Sequence, residues 1–181
     1  MSPADEGERR AAFEALYRLH HGAVQAYAGR RASDADAHDV VAETFLTAWR
    51  RMDDALVGGL PWLYRTAHLV LRNQQRSQRR QEHTALRVTS LPRPVCSDPQ
   101  ESYAERAAVR AAVGGLSVAD QELLFLIYWE QLDVKTAAQV LGCRHAAAAV
   151  RLHRARRRLR DALRSHPAAA PAGPTANEVA Q

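Results

Sequence analysis

Lysine is almost missing from this chain. Of its 25 basic residues only Lys135 is not arginine, a bias that a GC-rich genome produces without selection for function. Cysteine is scarce as well. Cys96 and Cys143 stand far apart with no CxxC, so the sequence indicates neither a disulfide framework nor a zinc site. No run approaches the ~18 apolar residues of a membrane span, and the opening MSPADEGERR is no signal peptide, so a cytoplasmic protein is expected. There is no glycine-rich phosphate loop, no HExxH and no nucleophile in a local signature. His20 and His21 are adjacent and point to different helix faces, a poor ligand pair. Neither an enzyme, a cofactor nor a metal is therefore expected. Strand alternation and internal repeats are lacking too, which leaves an all-α fold. No heptad seam suggests a dimer, so the free chain should be a monomer.

What is present is charge in blocks. Residues 1–60 carry seven basic and ten acidic groups, whereas 61–95 carry seven and one. Residues 96–143 return to three and seven, and 144–166 carry eight and one. Two basic patches thus alternate with two acidic stretches, the footprint of two nucleic-acid contacts beside surfaces meant for another partner.

The stretch Asp133–Leu163 organises the rest. A short helical run from Val134 to Leu141 stops at Gly142, and a longer run starts near His145 and ends in arginines. Glycine suits a tight inter-helix turn because it takes positive φ at little steric cost. Ala137 and Ala138 are small enough for two helices to cross closely. Ala148, Leu152, Ala155 and Leu159 form one buried stripe, while Arg151, Arg154 and Arg158 lie off it on another face. These are the parts of a helix-turn-helix, whose second helix enters the major groove.

Earlier in the chain, residues 1–10 are polar and expected to be disordered. A helix follows from Ala11 through Phe13, Leu16, Tyr17, Leu19, Val24 and Tyr27, with a break allowed at Gly22. The polar turn Arg31–Asp36 offers Ser33 or Asp34 as N-cap. The next helix, about Ala37 to Met52, would bury Val41, Phe45, Leu46 and Trp49 and expose Asp39 and Glu43. Asp53–Gly59 reads as a loop, and Pro61 sits at a helix N1 position. Trp62, Leu63, Ala67, Val70 and Leu71 anchor that helix. Its far half carries Arg72, Asn73, Gln75, Arg76, Arg79 and Arg80, suited to phosphates and base edges. Pro92, Pro94 and Pro99 mark residues 83–101 as a flexible linker. Ser117–Asp120 resembles a capping box before an apolar face of Leu123, Leu124, Ile127 and Tyr128. Residues 165–181 read as a disordered tail. The expected architecture is two small helical domains, 11–82 and 102–164, joined by the linker, the second a helix-turn-helix.

This order of parts resembles a bacterial RNA polymerase sigma factor of the sigma-70 family, extracytoplasmic-function (group 4) type. DVVAETFLTAW (Asp39–Trp49) looks like its polymerase-binding helix. PWLYRTAHLVLRN (Pro61–Asn73) looks like its promoter-melting, −10-reading helix. Leu116–Leu163 looks like its −35-reading domain. The resemblance implies docking of Asp39, Glu43 and Trp49 on the clamp helices of the polymerase β′ subunit, with contacts to the β subunit as well. It implies −10 recognition by the second basic helix and −35 recognition through Arg144, His145, Arg151, Arg154, Arg157 and Arg158. Core RNA polymerase and promoter DNA are then the partners, and an anti-sigma factor is a common third. Three departures stand out: Ala42 where the family often has Gln, His68 for a frequent Asn, and HAAAAV (His145–Val150) where polar residues usually meet bases. Alanine can touch only a thymine methyl. The rival reading is a helix-turn-helix regulator that never binds core polymerase, which leaves DVVAETFLTAW unexplained.

Overall fold

The computed structural model describes residues 3–82 and 103–165. Within them the chain is helical throughout: α1 (Pro3–Gly29), α2 (Asp34–Arg50), α3 (Met52–Glu82), α4 (Tyr103–Gly114), α5 (Val118–Tyr128), α6 (Val134–Leu141) and α7 (His145–Arg164). The linker 83–101 and the tail beyond Ser165 lie outside the described residues, as does Cys96.

Helix α1 corrects one expectation and settles one alternative. It begins at Pro3 rather than near Ala11, and it runs through Gly22 unbroken. Arg9 explains the early start. Its Nη2 donates to the Trp49 carbonyl at 2.7 Å in the last turn of α2, where helix carbonyls lack partners, and its guanidinium lies over the Trp49 ring. Gly22 faces solvent, and the buried residues Leu16, Val24, Tyr27 and Ala28 outweigh the roughly 1 kcal/mol that a mid-helix glycine costs.

Helix α2 is capped by Ser33, whose side chain accepts from the Asp36 N–H. Ala37, Val40, Val41, Thr44, Phe45 and Ala48 face the core, and Thr44 satisfies its hydroxyl on the Val40 carbonyl at 2.7 Å. Leu46 was expected among them. It stands exposed instead, on the face of Asp39 and Glu43. The expected loop Asp53–Gly59 is a short helical segment, because Met52 and Ala55 find burial and Asp53 and Asp54 favour a helix N-terminus. Gly59, at φ 54° and ψ −144°, turns the chain, and Pro61 opens the second segment where no N–H is required.

Helices α4–α7 pack around Leu123, Leu124, Leu126, Val140, Ala148, Leu152 and Ala155. The stripe expected on the last helix is the one buried, with Leu159 partly covered. Helix α5 buries four consecutive residues, Leu123–Leu126, because helices cover it on several sides, whereas Tyr128, expected in its apolar face, is exposed and accepts from Arg156 Nε at 2.9 Å. At the turn, the Asp133 side chain accepts from the Thr136 N–H at 2.8 Å, a bond that holds its carboxyl below the usual carboxylate range. Gly142 ends α6 in the left-handed region at φ 67°, and fully buried Ala137 and Ala138 allow the close crossing. Replacing Gly142 by alanine should cost at least about 1–2 kcal/mol of unfolding free energy, because its backbone is left-handed. The new Cβ would also lie 2.9 Å from Arg65 Nη1. Denaturant melts of the two proteins measure this directly.

The two helical groups do not hang apart on a tether. They pack against each other, α3 on α6, and their buried residues form one continuous cluster. A polar seam lines the junction. Arg31, expected in a polar turn, is buried, stacks on the Tyr27 ring, and donates from Nε to both Glu122 carboxylate oxygens at 3.0 Å and from Nη1 to Glu130 Oε1 at 3.0 Å. Arg30 pairs with Glu130 Oε2, the Tyr27 hydroxyl donates to Glu122 at 2.9 Å and that of Tyr64 to Glu130 at 3.3 Å. Burial, then the neighbouring Glu122, pushes the Tyr27 hydroxyl well above its ordinary pKa, and burial with Glu130 pushes Tyr64 up to about 12. Both therefore act as donors at neutral pH.

Candidate nucleic-acid interface

Helix α7 turns 100° per residue, which brings Arg144, Ala147, Arg151, Arg154 and Arg158 to one exposed face. Arg157 lies well off that face, paired with Asp161 one turn on at 3.9 Å, and His145 stands exposed at the helix start. Beside this face is an open cleft of about 520 Å³ walled by Ala146, Ala147 and Val150, with Arg151, Arg154, Arg158 and Asp120 around it.

Asp120 is the residue sequence reading missed. Its N–H is taken by Ser117 Oγ at 3.2 Å, as the capping pattern required, yet its carboxylate does not turn back to complete a box. It reaches across to α7, with Oδ1 3.6 Å from Arg151 Nε and Oδ2 3.5 Å from Arg158 Nη1. The aspartate is itself nearly buried, so it fixes where two otherwise mobile guanidinium groups stand. A clue was available in the sequence: an Asp in the Glu/Gln place of a capping box is one methylene short of the usual return contact.

The second basic surface is the far half of α3. Arg72, Asn73 and Arg76 are exposed there and Gln75 is half-buried, whereas the side chains of Arg79 and Arg80 lie outside the described residues. Arg72 and Arg76 are one turn apart and share a stripe. His68, four residues before Arg72, belongs to the junction instead: Nδ1 is 3.9 Å from Glu122 Oε1. Burial lowers its pKa, Glu122 opposes that shift, and Arg72, Arg31 and Arg65 reinforce it. The folded chain therefore favours the neutral ring. The stability this contributes is complete above the ordinary value near 6.5 and drains away as pH falls through it. His68→Gln should narrow the drop in melting temperature between about pH 7.5 and about pH 5.5.

On α2, Asp39, Glu43 and Leu46 share an exposed face. Trp49 sits about a quarter turn away and is engaged within the molecule, edge-on to Phe13 at 5.2 Å between ring centroids. Among the described residues no group of three or more His, Cys, Asp or Glu gathers to hold a metal, and no helix is long and apolar enough to cross a membrane.

These surfaces fall within two family matches. Residues 16–81, spanning most of α1–α3, match Sigma-70 region 2, and residues 106–159, spanning most of α4–α7, match Sigma-70, region 4. The chain belongs to the sigma-70 family. Its relatives make it a sigma factor of the extracytoplasmic-function type. It is 28% identical over 155 residues to the ECF RNA polymerase sigma factor SigL of Mycobacterium tuberculosis, covering 83% of this chain and 88% of that one. It is 32% identical over 138 residues to a probable RNA polymerase sigma factor, RfaY, of Xanthomonas campestris, covering 71% of this chain but spanning only 34% of that relative's length. The fold is similar to the sigma factor RpoE of Bartonella quintana, solved in complex with the anti-sigma factor NepR, with a TM-score of 0.68 and 24% identity over 84% of this chain and 97% of that one. It is similar also to CnrH, solved with the cytosolic domain of CnrY, with a TM-score of 0.55 and 25% identity over 86% and 89%. Proteins of this family are initiation factors, not enzymes.

Proposed function

We propose that this sigma factor binds core RNA polymerase through the Asp39–Glu43–Leu46 face of α2 and directs initiation at promoters whose −35 element is read by α7 and whose −10 element is read by the far half of α3. The observation that carries the proposal is the arginine face of α7, exposed on the second helix of a helix-turn-helix within the region 4 match. A helix in the major groove reads bases with side chains near its start and grips phosphates with those further along. Arg144 and Arg151 are the base-reading candidates here, Ala146 and Ala147 meet thymine methyls, and Arg154, Arg157 and Arg158 hold the backbone. On α3, Arg72 and Arg76 follow the phosphates of the separated strand, beside Asn73 and Gln75, which suit base edges. Arg79 and Arg80 follow on the same helix and add positive charge to that half. Unstacking a base to open the duplex costs about a few kcal/mol, which cationic contacts to the freed strand offset. One related fold, the sigma factor RpoE of Bartonella quintana, was solved in complex with the anti-sigma factor NepR, which supports an anti-sigma partner for this chain as well.

The test is transcription of a genomic library by core polymerase of the same organism, with and without this protein. Discrete new start sites that require it establish the function and reveal both elements. No new start sites, with core shown to be active and to bind this chain, would reject it. At the −35 element, Arg151→Ala should cost about 1–3 kcal/mol on the preferred sequence and far less on a scrambled one. Asp120→Asn should lower the same discrimination while slightly raising binding to scrambled duplex, because it frees Arg151 and removes a negative charge beside the arginine face. Equal losses on both duplexes, measured by fluorescence anisotropy, would make Arg151 a phosphate contact.

A further inference from the structure

The first turns of α7 present an apolar strip between two rows of arginine. Ala146, Ala147 and Val150 are all exposed, and at 3.6 residues per turn they fall within an arc of about 100°. Arg151 and Arg158 flank that arc on one side, and Arg156 and Arg160 flank it on the other. Helix α5 holds both rows. Asp120, in its first turn, takes Arg151 and Arg158. Tyr128, at its end, accepts from Arg156 Nε at 2.9 Å and lies with its ring centre 5.6 Å from that guanidinium. Long side chains on a helix lean back over the preceding turn, so an untethered Arg151 would lie across Ala147. Tied to Asp120, it leaves open the cleft of about 520 Å³ above the strip.

One occupant fits this pattern. The major groove is about 12 Å wide, which admits a helix of about 10–12 Å across its side chains. Its two walls are phosphates, and each would meet one row of arginines. Its floor is made of base edges, on which the apolar group is the C5-methyl of thymine. Alanine has no rotamers to lose and valine is stiff at χ1, so the strip meets a methyl at almost no ordering cost. None of the three side chains carries a donor or an acceptor. The strip therefore responds to the methyl itself and not to the polar atoms that distinguish one pyrimidine from another.

We propose that Ala146, Ala147 and Val150 form a reader of pyrimidine C5-methyl groups, an inference that rests on the −35 reading above. Thymine supplies that methyl in ordinary DNA, and 5-methylcytosine supplies the same group at the same place on the ring. A −35 element with a methylated cytosine opposite the strip is then bound more tightly than its unmethylated copy. Promoter choice by this chain is thereby coupled to a covalent mark on the DNA.

The test begins with random-sequence duplexes selected on the full chain, both alone at low salt and assembled with core polymerase. In the enriched sequence each thymine is replaced in turn by uracil, and then by cytosine or 5-methylcytosine paired with guanine. Fluorescence anisotropy measures the affinities. At the positions opposite the strip, losing the methyl should weaken binding roughly threefold to fourfold on either base, the scale for burying one such group. Ala147→Ser with Val150→Thr changes exposed positions only, so helicity by circular dichroism should stay the same while each methyl effect falls below about twofold. A methyl effect confined to thymine would support the strip and overturn its response to methylated cytosine. Uracil bound as well as thymine throughout an enriched sequence would overturn the reader and leave the −35 reading standing. So would methyl effects that persist at full size in the double variant. No enriched sequence in either format would overturn the −35 reading, and the methyl reader with it.

Discussion

Asp39→Arg combined with Glu43→Arg is expected to lower affinity for core RNA polymerase by at least about 100-fold, with helicity and melting temperature unchanged. Both carboxylates project from the exposed face of α2, away from Val40, Thr44 and Ala48, which pack the core. Arginine is a good helix former, so the exchange costs the helix little. The effect on binding follows from sign. A carboxylate facing a basic surface steers and fixes register, and reversal sets like charges against each other at several kcal/mol. At about 1.4 kcal/mol per factor of ten, two reversals exceed a hundredfold. Leu46→Ala should add a smaller loss at no cost in stability, since this leucine is 42% exposed in the free chain. Competition against a labelled sigma factor for core polymerase measures both. Undiminished binding of the double variant would remove this face from the interface.

The second large effect concerns the anchor of the reading helix. Leu152→Ala should cost about 2–5 kcal/mol, the range for deleting a buried leucine side chain and leaving a cavity. Leu152 is 4% exposed and lies between Ala148 and Ala155 on the buried stripe of α7. The alanines around it cannot move in to fill the space without drawing the backbone with them. A unit of about 60 residues has only about 3–9 kcal/mol of stability to lose. Denaturant melts followed by tryptophan fluorescence, to which Trp129 contributes from its edge-on stack against Phe125 of the same core, should therefore report early unfolding of α4–α7. Promoter binding should fall with it. A loss well under 1 kcal/mol would mean that α7 is held chiefly by its polar contacts.

Where local chemistry decides structure, the sequence was readable. The Ser33 cap, the Gly142 turn and the stripe from Ala148 to Leu159 follow from short-range rules, and all stand as expected. Misreadings arose where distant contacts override those rules. Gly22 looked like a break because nothing nearby shows the buried face that carries α1 through it. Asp53–Gly59 looked like a loop because its two aspartates and two glycines resemble turn chemistry, while the burial of Met52 and Ala55 is visible only in three dimensions. Arg31 was lost in a polar turn, and Glu122 and Glu130 in ordinary helix surface. No local pattern links residues about 100 positions apart, so the junction could not be foreseen. The candidate contacts on α7 and α2 were legible as exposed faces. Asp120, which arranges two of those arginines, was visible only as a cap.

The alanines at the head of α7 bear on how such a protein can change its targets. Ala146 and Ala147 are exposed, sit on the first turn of a helix fixed by Leu152 and Ala155, and support nothing behind them. On the proposed reading they are sparsely used positions in a reading head. A substitution there could add a base contact without unsettling the scaffold, because surface changes of this kind usually shift stability by less than about 0.5 kcal/mol. Two neighbouring characters of this sort would let descendants of one chain diverge in the genes they serve while keeping the same body and the same hold on polymerase.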